Sequence, residues 1–310
     1  MDKNYKLDEL IICAGGIKAI YIIGCLNNLS KIHPLHLFNY YTGCSAGSII
    51  CLLLNIGYNI DDIENIISID FKIFQELKIT NLINNCGLDN GTKITNLFKA
   101  IILNRSYDIN ITFKELYEKT KKVLTFTTTN ITTGKTEYHN YITQPNMQIL
   151  LSLRMSINIP IVYSPIKYND NYYVDGALLD SYPYNYNKNL KKIGIFLLQN
   201  NEYLFLKNKE SVFVNNIDDT LTYLKNLLTI MYLNNLKNTN KKYKNTINIV
   251  INKDMNKDIE IYDFNLDELN KKKMINIGKI SFNKYFKKIY LIRRKRYLMN
   301  KYYYLWKSKI

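Results

Sequence analysis

A serine stands between two glycines in Gly43-Cys44-Ser45-Ala46-Gly47, with apolar residues on both sides. This G-x-S-x-G spacing suits a sharp turn from a strand into a helix. Such a turn pushes the serine hydroxyl out of a sheet, and small neighbours leave room for a substrate carbonyl. A match to the spacing alone arises by chance in about one chain of this size in ten. Its surroundings therefore decide what it means.

Those surroundings alternate strand and helix. Leu10-Ile11-Ile12-Cys13 is a short apolar run ending in Ala14-Gly15-Gly16, as a buried strand entering a tight loop does. Lys18 to Leu29 carries apolar residues at helical spacing. Leu37–Thr42 is a second strand ending at Ser45, and Ala46–Ile56 is an apolar helix stopped by Gly57. Strand–loop–helix followed by strand–elbow–helix predicts an α/β fold with a largely parallel sheet. Further helices are expected over Asp61–Ile69, Thr92–Leu103, Phe113–Thr120 and Gln148–Met155. The β-branched run Val123–Thr129 leads through Gly134 into Thr136–Tyr141, a hairpin pattern. Tyr172–Ala177 reads as a strand ending in an Asp-Gly turn, and Ile193–Leu198 as a buried strand. Beyond residue 200 the pattern loosens, with a helix expected over 217–236 and a strand at Ile247–Ile251.

At 310 residues the chain can bury a substantial core. Its polar start has no signal-peptide pattern, and its longest fully apolar stretch, Ile49–Leu54, is far too short to span a bilayer. Five cysteines, none in a C-x-x-C pair or at zinc-ligand spacing, point to a reducing, intracellular setting without a metal site. Cys44 is a conceivable thiol nucleophile, but a small residue tolerated at the turn explains it more simply. The net charge of +16 is unevenly placed: residues 271–310 hold 14 Lys/Arg and no Asp/Glu, which leaves 28 basic against 26 acidic residues in the rest.

An acyl-ester hydrolase needs a nucleophile, a base and hydrogen-bond donors for the developing oxyanion. Ser45 is the nucleophile candidate. The backbone N–H of Ala46 is one donor, and Gly15 and Gly16 can bring further N–H groups close because they lack side chains. The base is the discriminating question. Only three histidines exist, and His33 and His36 precede Ser45 in a Pro-containing loop that reads as surface. His139 falls in the expected hairpin, and none follows it, so the Ser, Asp/Glu, His order of an α/β-hydrolase triad is poorly supported.

Three separated segments together resemble the patatin-like phospholipases. That family joins a G-G-G-x-[KR]-G oxyanion loop to a G-x-S-x-G nucleophile and a D-G-[GA] catalytic aspartate, with no histidine. The corresponding segments here are Ala14-Gly15-Gly16-Ile17-Lys18-Ala19, Gly43–Gly47 and Asp175-Gly176-Ala177. Met155–Pro160, Ser164–Ile166, Leu179–Pro183 and the Thr127–Lys135 hairpin also look familial. The resemblance covers roughly residues 8–200. It implies a three-layer α/β/α core for that domain, while charge and periodicity make residues 201–310 a basic, mostly helical C-terminal extension of mixed helix and strand. It also implies cleavage of a phospholipid acyl ester by a Ser45–Asp175 dyad, without calcium, other metal or cofactor. A free aspartate is a poor base at neutral pH, so the fold must raise its proton affinity by burial. Lys18 would begin the first helix, tuning the loop or facing anionic headgroups. Ala14 and Ala19 replace glycines of the family's loop, and alanine cannot take a positive φ cheaply. If Ala14 needs one, a misshapen oxyanion hole and low activity are expected.

In 280–310, Phe282, Tyr285, Phe286, Ile289 and Ile292 recur at threes and fours among Lys and Arg, ahead of Tyr302-Tyr303-Tyr304-Leu305-Trp306. Such a helix can lie on an anionic membrane, making a phospholipid surface the expected partner. Alternatively its apolar face packs on the body. A catalytically weak or inactive lipid-binding protein is a second reading. Nucleic-acid binding through the tail is a third, against which stand the nearly neutral body and the lack of a recognised motif.

Overall fold

The computed structural model describes residues 7–69, 76–199, 220–239, 243, 245–251 and 267–307, with the backbone alone at 221, 225, 234–239 and 292–307. In chain order the strands are β1 (Glu9–Ile12), β2 (Tyr40–Cys44), β3 (Gly87–Asp89), β4 (Val123–Asn130), β5 (Lys135–His139), β6 (Ile161–Tyr163), β7 (Ile166–Tyr168), β8 (Asn171–Asp175), β9 (Lys192–Gln199) and β10 (Thr246–Ile251). The helices between them are α1 (Ala19–Ser30), α2 (Ala46–Asn55), α3 (Ile60–Ile67), α4 (Ile79–Asn85), α5 (Thr92–Leu103), α6 (Phe113–Thr120) and α7 (Ile149–Ser156). Two more helices follow, Thr220–Thr239 and the C-terminal Glu268–Lys307.

The main sheet is mixed. Strands β10, β9, β1, β2 and β4 are parallel neighbours in that order, while β5, β8 and β7 add antiparallel pairings. The central parallel strands are covered on both faces, which is why β1 is buried throughout and reads as a continuous apolar run. Its one charged residue, Glu9, is buried with its carboxylate accepting from Thr42 Oγ1 (2.6 Å) and Asn187 Nδ2 (2.7 Å). The β4–β5 turn is held by Asn130 Oδ1, which accepts from the N–H groups of Thr132 and Thr133, and by Gly134 at φ 67°. The pair β3–β6 forms a separate parallel ribbon. Neither these short strands nor β7 and α4 carries a periodic signal, and the sequence does not announce them.

One pairing arrangement positions the site. Residues 126–130 of β4 pair with β5, so that edge is full. The opposite edge is divided: β2 occupies it up to the Cys44–Thr127 pair, and β8 takes over at the next residue, with Asp175 opposite Thr128. The C-terminal ends of a parallel and an antiparallel strand therefore meet head to head.

The sheet continues past residue 200, because β10 pairs with β9 in register from Thr246–Gly194 to Ile251–Gln199. The C-terminal helix also joins the body. It packs on α1 and buries Met274, Ile275 and Phe282, with Tyr285 and Phe286 against the same core. The expected amphipathic face is thus turned inward over this half. The side chains from Ile292 through the Tyr302–Trp306 cluster lie outside the described residues, as does the start of the helix expected from 217. Among the described residues no helix is long and apolar enough to cross a membrane.

Two glycines allow this helix pair to approach closely. A Cβ on Gly24 would lie 1.8 Å from the Ile275 carbonyl oxygen, and one on Gly278 would lie 1.9 Å from that of Tyr21. In an exposed helix, Gly to Ala is favourable by about 1 kcal/mol. Here the sign reverses: Gly278→Ala must push backbones apart, and we expect a net loss of about 1–3 kcal/mol. Thermal unfolding should show a Tm lower by several degrees.

Candidate active site

The divided edge of β4 brings Ser45 to Asp175. Ser45 Oγ donates to Asp175 Oδ2 at 2.5 Å, and both side chains are buried, at 5% and 3% exposure. Ser45 has φ 53°, a left-handed conformation that an L-residue adopts at a cost. It caps α2, and Ala46 is the helix's first residue, where backbone N–H groups have no carbonyl within the helix to bond.

The motif glycines are explained by close backbone contact. A Cβ on Gly43 would lie 2.6 Å from Gly47, and one on Gly47 would lie 2.4 Å from the Ile12 carbonyl oxygen. The first turn of α2 is thereby seated against the end of β1, beside the Ala14–Gly16 loop. Gly176 leaves room for the carbonyl of Thr127, which a Cβ would approach to 2.4 Å. Ala177 donates its N–H to Asp175 Oδ1 at 2.8 Å and so orients the carboxylate.

Burial pushes the Asp175 carboxyl up from its usual 3.8 to about 7, against the hydrogen bonds from Ser45 and Ala177, which lower it. The pair is a hydroxyl held by a carboxyl that changes protonation near neutral pH, which suits it to exchange a proton with a reacting oxygen. Cys44 is no rival nucleophile. Its thiol is buried, and that burial pushes its pKa well above the ordinary thiol range.

The loop residues fall beside this pair with some differences from expectation. Gly16 has φ 50°, a conformation that favours glycine. Ala14 and Ala19 need no such freedom. Ala14 is absent from the positive-φ residues and donates its N–H to the Ser181 carbonyl (2.9 Å), while Ala19 is helical at φ −57°. The substitutions therefore impose no backbone strain. Lys18 precedes α1 as expected but is buried, so it faces neither solvent nor headgroups. His33 is also buried, its ring 4.5 Å from that of Phe38, and only His36 is exposed as the sequence suggests. His139 lies on β5, across β4 from the pair, with its ring nitrogens 3.0 Å from Ser152 Oγ and 3.2 Å from Glu137 Oε2.

Two residues that sequence reasoning did not single out hold the pair from behind. Ser156, at the end of α7, donates to the Thr127 carbonyl (2.8 Å) and accepts from the Ser45 N–H (3.2 Å). Its only proton is then used, so Ser48 Oγ, 2.8 Å away, donates to it. Asn158 accepts the Asp175 N–H on its carbonyl (2.8 Å), and its Nδ2 donates to the carbonyls of Ser164 and Tyr173. Both lie in the Met155–Pro160 segment that looks familial in sequence, which marked the stretch without assigning either side chain a role.

Ser156→Ala strips the Ser45 N–H and the Ser48 hydroxyl of their buried partner, at about 1–3 kcal/mol. Labelling of Ser45 by a fluorophosphonate is expected to slow about tenfold, with partial recovery in Ser156→Thr. Asp175 also has a linkage consequence. Its folded pKa is raised, so its contribution to stability is full below about pH 4 and is lost as pH rises through about 7. Asp175→Asn should therefore raise Tm at pH 8, by an amount that shrinks toward pH 4.

A sequence model of the family described as patatin-like phospholipase matches residues 10–187. The probable lipid hydrolase 463L of Invertebrate iridescent virus 6 is 36% identical over 204 residues, covering 61% of this chain and 68% of that protein. An uncharacterized protein of Acanthamoeba polyphaga mimivirus is 28% identical over 284 residues, or 88% of this chain and 91% of the relative. Among solved structures, VipD from Legionella pneumophila has a similar fold, with a TM-score of 0.58 at 15% identity. That match covers 90% of this chain and 66% of VipD. With the matched segment running from β1 to beyond β8 and holding both Ser45 and Asp175, the chain belongs to the patatin-like phospholipase family.

Proposed function

We propose that this protein is a serine lipid acyl hydrolase that cleaves fatty-acyl esters of glycerophospholipids through Ser45 and Asp175. The observation that carries the reading is the 2.5 Å hydrogen bond from Ser45 Oγ to a buried Asp175 carboxyl whose pKa lies at about 7. Family membership and the viral relative's name support lipid hydrolysis as the general reaction.

Asp175 in its ionised form accepts the Ser45 proton as Oγ attacks the ester carbonyl. The N–H groups of Gly15, Gly16 and Ala46 receive the negative charge on the tetrahedral oxygen, helped by the positive end of α2. Collapse breaks the ester C–O bond, and Asp175 returns the proton to the departing lysophospholipid oxygen. Water then attacks the acyl-Ser45 ester with Asp175 again as base, releasing the fatty acid and restoring the serine. A base with pKa near the working pH balances availability against basicity, which burial achieves here without a histidine.

The test is fatty-acid release from mixed phospholipid vesicles and from a short-chain soluble ester. Ser45→Ala and Asp175→Asn should each lower kcat by about a thousandfold or more, while His139→Ala of matched folding retains activity. The wild-type rate should rise with pH through about 7, as Asp175 ionises. Loss of activity in His139→Ala, or retention in Asp175→Asn, would overturn the dyad.

A further inference from the structure

The apolar face of the C-terminal helix, a membrane contact on sequence grounds, is spent on α1 up to Phe286. Among the elements that leave large apolar side chains exposed, two are connected to Asp175. The helix Thr220–Thr239 packs against the turn Gly176–Leu178, which directly follows Asp175. Its Leu233 is buried and Tyr232 touches the core, while Tyr223, Leu227, Ile230 and Met231 are 41–46% exposed. At 3.6 residues per turn these four fall within an arc of roughly 100°, so they form one continuous stripe.

The second element is α4. None of its residues is buried, and Ile79 and Ile83, one turn apart, are 77% and 79% exposed, with Leu77 exposed beside them. It is tied to the site by a short series of hydrogen bonds. Lys78 N–H and Asn81 Nδ2 donate to the Leu88 carbonyl on β3, and Ser164 N–H donates to the Asp89 carbonyl. The Ser164 carbonyl in turn accepts from Asn158, whose own carbonyl accepts the Asp175 N–H. The two apolar elements thus reach Asp175 by separate routes, one through its following turn and one through its backbone partner.

We propose that the stripe Tyr223–Leu227–Ile230–Met231, together with Leu77, Ile79 and Ile83, docks the protein on a phospholipid bilayer with the Ser45–Asp175 pair on the membrane side. The charge pattern selects this occupant. Residues 79–85 contain no charged residue, and residues 220–239 contain Lys225 and Lys237 but no acid. Within the two helices lysine is the only charge, and Glu76 beside Leu77 is ion-paired with Lys78 at 2.8 Å, a pattern that suits the boundary between acyl chains and anionic headgroups. The nearly closed dyad fits too: an ester drawn straight from a bilayer reaches Ser45 without crossing water. This siting of the reaction rests on the proposed hydrolase activity, whereas the docking itself does not.

The experiment uses the full chain with vesicles of phosphatidylcholine containing a minority of phosphatidylglycerol, and scores co-sedimentation and hydrolysis separately. Ile230→Asp/Met231→Asp and Ile79→Asp/Ile83→Asp should each weaken vesicle partition by about tenfold or more. Hydrolysis of a soluble short-chain ester, which needs no vesicle, should stay within about twofold of wild type. As a second readout that needs no destabilising charge, Tyr223→Trp in a Trp306→Phe background should blue-shift on vesicles and be quenched by acyl-brominated lipid. Unchanged partition in both double variants, or no shift at Trp, overturns the docking face. A wild-type dimer that the aspartates dissociate, without vesicle binding, also overturns it and assigns the stripe to a second copy. Soluble-ester hydrolysis without vesicle binding sinks the docking and leaves the hydrolase standing. Vesicle binding without hydrolysis of any ester does the reverse.

Discussion

Strand β4 has one edge for two strands, and the structure around the site follows from that shortage. In the register Tyr40–Val123 to Cys44–Thr127, the next partner along β2 would be Ser45 opposite Thr128. That place is taken by Asp175 at the end of β8. The chain has to leave the sheet at Ser45, and it does so through a positive φ. Glycines at 43, 47 and 176 stand where the crowded strand ends, the first turn of α2 and the carbonyl of Thr127 leave no space for a Cβ. The turn at Ser45 is thus imposed by sheet pairing as much as by its own five residues. A one-residue slip of β8 would move Asp175 to the other face of the sheet and leave Ser45 without a partner.

Holding two strand ends together in this way isolates a carboxyl from water, which the fold offsets with backbone and hydroxyl donors. Ala177 N–H and Ser45 Oγ satisfy the two carboxyl oxygens. Behind them, the end of α7 and the two residues after it grip both strand ends, Ser45 through the Ser156 hydroxyl and Asp175 through the Asn158 carbonyl. One short segment thus reinforces, from behind, the juxtaposition that the shared edge of β4 creates.

Much of this was legible in the sequence, and the reasons for the rest are specific. Strong periodicity and turn residues marked β1, α1, α2, α5, the β4–β5 hairpin and β8 to within a residue or two. The three familial segments placed Ser45, Asp175 and the glycine loop before any contact was visible. The strands β3, β6 and β7 are three residues each, too short for alternation to register. His33 and Lys18 read as surface by residue type, whereas tertiary contacts bury them. The inward turn of the C-terminal helix had one cue, the lone Gly278 in a helical run, which marks a close approach. For Ser156 the one cue was its place in the familial Met155–Pro160 segment, which gave no role, since its value lies in contacts with residues more than a hundred positions away.

The order in which the sheet is built separates possession of the site from completion of the fold. Ser45 and Asp175 are both present once residue 175 has been made, yet β9 gains its outer neighbour only from residues 246–251. The face of α1 around Tyr21 and Gly24 is covered by residues 274–282. Until then β9 is an open strand edge and α1 shows bare apolar surface, the two features most prone to misassembly. The last hundred residues thus act as a closing clasp, and the site gains its finished support late in the synthesis of the chain.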